Sequence, residues 1–187
     1  HLNGTVDVMA LSCNSCHGSA ANAAPPLGTH GETAITSPAV GAHQAHLAGG
    51  TLRPGVACEE CHVVPTETGH ADGAVQLAFG TLATTDASPA LWDPVNLTCT
   101  NYCHGAILRG GGANLSPLWT GGPSQVTCGS CHQTPPPAPH PHTQICENCH
   151  PGYTVASVNL STHVNGLVEA ENLTCSSCHG DHSRVLA

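Results

Sequence analysis

Six times in 187 residues a pair of cysteines is followed at once by histidine. Cys13/Cys16-His17, Cys58/Cys61-His62, Cys128/Cys131-His132, Cys146/Cys149-His150 and Cys175/Cys178-His179 keep two residues between the thiols. Cys99/Cys103-His104 keeps three. All 12 cysteines are used in this way. Two thiols so spaced can add to the two vinyl groups of a porphyrin, and the adjoining imidazole then lies beneath the ring to ligate its iron. The pattern therefore reads as covalent c-type haem attachment.

Other chemistries of paired cysteines explain less. A disulfide framework gives no reason for histidine to follow every pair. Structural zinc recruits two pairs per ion and does not require the adjacency, and iron–sulfur clusters leave the six histidines unused. The widened motif "CTNYCHG" retains both thiols, His104 and the following Gly105, which matches Gly18 and Gly180. A longer linker can bulge outward while both sulfurs still reach a flat ring, so it is read as a sixth attachment site.

Each iron needs a second axial group if it is to pass electrons without binding substrate. Beyond the six motif histidines there are nine others: His1, His30, His43, His46, His70, His140, His142, His163 and His182. Nine donors suffice for bis-histidine ligation at six irons. "HQAH" from His43 sets two imidazoles at i, i+3 on one helical face, able to serve different haems. His140 and His142 flank Pro141 in an extended run and should diverge. Met9, the single methionine, is read as packing beside a strand.

The elements that must position these groups are short. With 21 Gly, 15 Pro, one Phe, two Trp and two Tyr, the chain is poor material for a large apolar core and favours turns. "HLNGTVDVMALSCNSCHG" from His1 aligns without a gap to "HVNGLVEAENLTCSSCHG" from His163, and a third copy opens "HADGAVQLAF" at His70. Asn3-Gly4, Asp72-Gly73 and Asn165-Gly166 read as turns, followed by an alternating apolar arm such as Val75, Leu77 and Phe79. "PPPAPHP", 135–141, should be extended and rigid, and a helix is expected over 41–48. The expected fold is mostly irregular, with short helices and β-hairpins wrapped around closely packed c-type haems. It is one hexahaem domain over 1–187 with approximate repeats 1–69, 70–162 and 163–187. At about 31 residues per haem, the rings themselves must fill the core. The haems at Cys128 and Cys146, close in sequence, form the expected contact pair.

Three Lys plus Arg against twelve Asp plus Glu argue against nucleic-acid binding. Twelve propionates and six ferric centres would take the formal charge of −9 to about −15. No run of apolar residues is long enough to span a bilayer. A chain opening on His1 reads as processed from a longer precursor, with any export signal removed. The N-x-S/T triplets at Asn3, Asn96, Asn159 and Asn172 read as incidental.

Through "CNSCHG", "CEECH", "CTNYCHG", "CGSCH", "CENCH" and "CSSCHG", nearly the full length resembles the multihaem c-type cytochromes of metal-reducing bacteria, including outer-surface members that polymerise into conductive filaments. The resemblance implies export to the outer surface or beyond, with the periplasm as alternative, and six bis-histidine haems. It also implies electron delivery to other cytochromes or to extracellular metal and mineral acceptors. A widened motif of the Cys99/Cys103/His104 kind occurs in that group. The expected function is electron conduction without a substrate site, in a head-to-tail homopolymer joined by His1 to the terminal haem of a neighbour. The alternatives are a multihaem reductase with an open iron acting on a small inorganic substrate, and a monomeric exported shuttle.

Overall fold

The computed structural model describes residues 11–67, 70–141, 145–171 and 173. The expectations for His1, Met9, His142, Cys175, Cys178, His179, His182 and the Asn3-Gly4 turn lie outside them.

So many glycines and prolines interrupt the backbone that few hydrogen-bond ladders can propagate. Regular structure is short accordingly. Among the described residues one α-helix, α1, covers His43–Ala48, inside the expected 41–48 span. Strands β1 (Leu91–Asp93) and β2 (Thr98–Thr100) pair antiparallel, with Leu91 opposite Thr100, Trp92 opposite Cys99 and Asp93 opposite Thr98. The Asp93 carboxylate closes their turn, accepting from the N–H groups of Val95 at 2.8 Å and Asn96 at 3.0 Å. An aspartate that bonds its own backbone in this way favours the bend over a longer strand. Three 3-10 turns, Cys58–Glu60, Tyr102–His104 and Cys146–Asn148, lie within cysteine motifs.

The arm at Val75 to Phe79 is not a strand of its own. It makes one bridge, His62 with Leu77. The repeat is nevertheless structural. His62 Nδ1–H donates to Gln76 O and His150 Nδ1–H donates to Glu169 O, at 3.4 and 2.6 Å. Gln76 and Glu169 are the same position of the repeat. Two residues on, Ala78 N–H donates to Cys61 O and Glu171 N–H to Cys149 O, at 3.1 and 2.9 Å. The turns match as well. Asp72 and Asn165 each accept from the N–H two residues ahead, at 3.0 and 2.8 Å, and Gly73 and Gly166 have φ of 79° and 90°. Each arm is thus laid along the motif that precedes it.

The 135–141 run is bent rather than extended. His140 N–H donates to Pro137 O at 3.2 Å. Proline sets φ but leaves ψ free, so a turn can form wherever the next residue still has an N–H to give.

Among the described residues only Val40, Ala83 and Pro117 are buried apolar side chains. Val75, Val95, Leu167 and Val168 are all more than two-thirds exposed. The polypeptide packs little of its own apolar surface against itself, and its order rests on turns and local hydrogen bonds.

Candidate functional site

The 3-10 turns explain how the second and fifth motifs present their thiols. In that helix side chains at i and i+3 eclipse, so Cys58 and Cys61, or Cys146 and Cys149, emerge on one side. The turn is held by Cys61 and His62 N–H groups donating to Cys58 O at 3.1 and 2.9 Å, and by Cys149 and His150 donating to Cys146 O at 3.1 and 2.8 Å. The widened motif solves the same problem differently. β2 carries Cys99, and Asn101 then caps a 3-10 turn over Tyr102–His104, its Oδ1 accepting from His104 N–H at 3.1 Å. Gly105 ends the turn at φ 83°, where a Cβ would lie 2.1 Å from Cys131 O. The third and fourth motifs therefore touch through backbone, and Cys131 Sγ lies 3.6 Å from Cys103 O. No disulfide joins Cys13 with Cys16, Cys58 with Cys61, Cys99 with Cys103 or Cys128 with Cys131. Burial pushes the Cys99 and Cys103 thiols up to about 11 and also raises Cys61 and Cys131.

Every described motif histidine faces one non-motif histidine. Ring centres are 6.3 Å apart for His17 and His70, 6.1 Å for His62 and His43, and 6.3 Å for His104 and His46. They are 6.2 Å apart for His132 and His163 and 6.1 Å for His150 and His140. Side-chain packing alone has no reason to match the two classes one to one at nearly constant distance. A metal about 2.0–2.1 Å from an imidazole nitrogen on each side, with each ring centre about 1.1 Å farther back, separates the centres by roughly 6.2 Å. Such a donor set could hold the iron of a haem, one imidazole from each member of a pair. Among the described residues no three of His, Cys, Asp or Glu converge as a bare-ion site.

The far nitrogens are tied down. Nδ1–H of His17 donates to Ala23 O at 2.6 Å, of His43 to Val40 O at 2.8 Å, and of His46 to Ala42 O at 2.9 Å. His70 donates to Glu67 O, His132 to Gln133 O and His140 to Pro141 O, at 2.9, 2.8 and 2.8 Å. His163 reaches Leu52 O at 2.5 Å. With His62 and His150 in the repeat arms, nine of the ten paired rings have a carbonyl at Nδ1. A carbonyl only accepts, so these rings carry the proton on Nδ1 and keep the Nε2 lone pair for a metal. His104 is the exception: its Nδ1 is buried without a partner. Burial also lowers the pKa of His104 to about 4, with lesser help from His46 and Arg53, and lowers those of His43 and His163.

Helix α1 sends its two imidazoles to different motifs, His43 to His62 and His46 to His104. Trp119 fixes both, its ring 4.8 Å from His43 edge-on and 5.7 Å from His46 nearly parallel. Its indole N–H donates to Pro38 O at 2.8 Å. Tyr153 occupies a similar place between His150 and His163, at 6.0 and 6.2 Å, with its hydroxyl 3.0 Å from Thr162 Oγ1. Composition marked these aromatics only as scarce, and nothing in the spacing pointed to their place between imidazoles. The opening histidines of the repeat, His70 and His163, face the motif two before their own arm. His30 is left apart, 86% exposed, 3.6 Å from the Glu32 carboxylate.

The family described as Geobacter CxxxxCH...CXXCH motif matches residues 98–132, the stretch in which the third and fourth motifs touch. Its description has four residues between the first two cysteines where this chain has Thr100, Asn101 and Tyr102. The match supports a relation to c-type cytochromes and an electron-transfer role. Searches of curated proteins and of solved structures found no match.

Proposed function

We propose that the chain carries six covalently bound haem c groups, each with two histidine ligands, and conducts electrons between them. The observation that supports this reading is the one-to-one pairing of motif and non-motif imidazoles. Bound haem supplies an iron that cycles between ferric and ferrous at constant coordination. The chain's part is to hold and orient. Cys13/Cys16, Cys58/Cys61, Cys99/Cys103, Cys128/Cys131, Cys146/Cys149 and Cys175/Cys178 form the thioethers. His17, His62, His104, His132, His150 and His179 are the proximal ligands. His70, His43, His46, His163 and His140 close the first five sites opposite them, leaving His1, His30, His142 and His182 for His179. Backbone carbonyls at Nδ1 fix the tautomer and ring direction, so little rearrangement accompanies a change of charge. An iron held by two imidazoles would have no position open to a small substrate, and this favours conduction over a reductase.

The setting we propose is the outer surface of an exporting cell, with other cytochromes or extracellular metal as partners. His1 stands where His70 and His163 stand in the repeat. In the assembly we propose, it ligates the terminal haem of a neighbouring copy, head to tail. Among the described residues no helix is long and apolar enough to cross a membrane.

Two measurements on the oxidised holoprotein test the central reading. The denatured mass should exceed the 18.9 kDa polypeptide by six haems, roughly 3.7 kDa. Electron paramagnetic resonance should show low-spin iron throughout. A persistent high-spin signal overturns complete bis-histidine ligation, and five haems remove Cys99/Cys103.

A further inference from the structure

Two buried side-chain nitrogens in the described chain lack a hydrogen-bond partner: His104 Nδ1 and Arg53 Nε. Both are donors when His104 ligates through Nε2, and both belong to one neighbourhood. The Arg53 charge acts on His104, Cys103 and Cys61. Its segment is pinned there, since Leu52 O accepts from His163 and Val56 N–H donates to His46 O at 2.8 Å. A buried donor left without an acceptor is costly, more so when charged, so an acceptor is called for. The protein does not provide it. Glu60, which acts on the same thiol Cys103, accepts from Ala83 N–H at 3.2 Å and forms no ion pair with Arg53. Among the described residues the one ion pair is His30 with Glu32.

We propose that Arg53 and His104 together bind a haem propionate carboxylate, supplied by the haem attached at Cys58 and Cys61. The proposal rests on the haem reading above. An anion answers both donors at once, and a guanidinium together with an imidazole N–H matches the two oxygens of a carboxylate. The propionate comes from the neighbouring haem because a porphyrin's own carboxylates leave its edge, away from the Nδ1 of its axial ligand. The widened motif thereby acquires a distinct role. Its histidine is held by a cofactor where the other nine are held by backbone, linking the second and third sites through one ion pair. A cation there favours the reduced iron, so Arg53 raises the potentials of the two haems it joins.

Arg53→Met, Arg53→Gln and Arg53→Lys, followed by intact mass and spectroelectrochemical titration, test this. All three should keep six haems. The two neutral variants should lose at least about tenfold in the equilibrium constant for reducing one haem, a negative shift of about 59 mV. Arg53→Lys should recover most of it. Superimposable titrations with six haems overturn the proposal, as does a lysine variant shifted as far as the methionine one. Fewer haems on the wild-type chain would instead overturn the haem reading, which the mass alone detects. Should the neutral variants fail to accumulate, an experimental structure of the wild-type holoprotein decides. A carboxylate oxygen within hydrogen-bond reach of Arg53 Nε and His104 Nδ1 is expected, and a water or a protein carbonyl in that place overturns it.

Discussion

A histidine is a useful iron ligand when one nitrogen is tied and the other aimed, and here the tie is nearly always a backbone carbonyl. The aim differs from pair to pair. His43 and His62 lie 19° from parallel and His140 and His150 lie 9°, whereas His17 with His70, His46 with His104 and His132 with His163 are inclined by 78°, 86° and 65°. Parallel imidazoles donate to the same iron π orbital and split the pair. Crossed ones leave the two nearly degenerate. Oxidised holoprotein should therefore show two classes of low-spin signal, the more anisotropic class belonging to the three inclined pairs. His163→Ala should keep six haem masses, turn one iron high-spin and remove intensity from the anisotropic class. Loss from the other class would mean that His163 serves a different site.

Helix α1 is only six residues, too short to persist on its own propensity, so its neighbours must hold it. Gln44, whose amide donates to Pro25 O at 2.8 Å, is one anchor; Trp119 is another, and Gly41 makes its approach possible. Gly41 sits at φ 42°, and a Cβ there would lie 1.9 Å from Trp119 Nε1. Gly41→Ala should push the indole away and cost about 1–3 kcal/mol from crowding, read as a lower denaturation midpoint of the holoprotein. Because one ring contacts both His43 and His46, the signals of the second and third sites should broaden together. A change confined to one of them would show that α1 does not act as a single clamp.

With three small apolar side chains buried among the described residues, the polypeptide cannot offset the entropy of ordering its own turns. The covalent cofactors are the missing core in this reading, and their removal should be felt everywhere. Chain made without haem attachment, its cysteines reduced, should give a poorly dispersed amide NMR spectrum and no cooperative thermal transition. The holoprotein should melt cooperatively. A cooperative transition in the haem-free chain would show that polypeptide contacts alone sustain the fold.

The haem-attachment reading came from the residues because its signal is local. Two thiols and an imidazole that are to meet one porphyrin must be neighbours in the chain, so six motifs and their twelve cysteines could be counted directly. The supply of further imidazoles was legible too, as were the turns at Asp72-Gly73 and Asn165-Gly166, whose side chains bond their own backbone. Which imidazole meets which was not. His17 with His70 and His46 with His104 are brought together by loop closure, and that depends on every turn between them. Nor could the residues name what holds Nδ1. A carbonyl is present at every position, and only folding selects Leu52 or Gln76. Arg53 is one of three cations in the sequence, but its meaning lies in a buried Nε in the neighbourhood of His104, the one paired ring that backbone does not satisfy. That juxtaposition exists only once distant segments have packed.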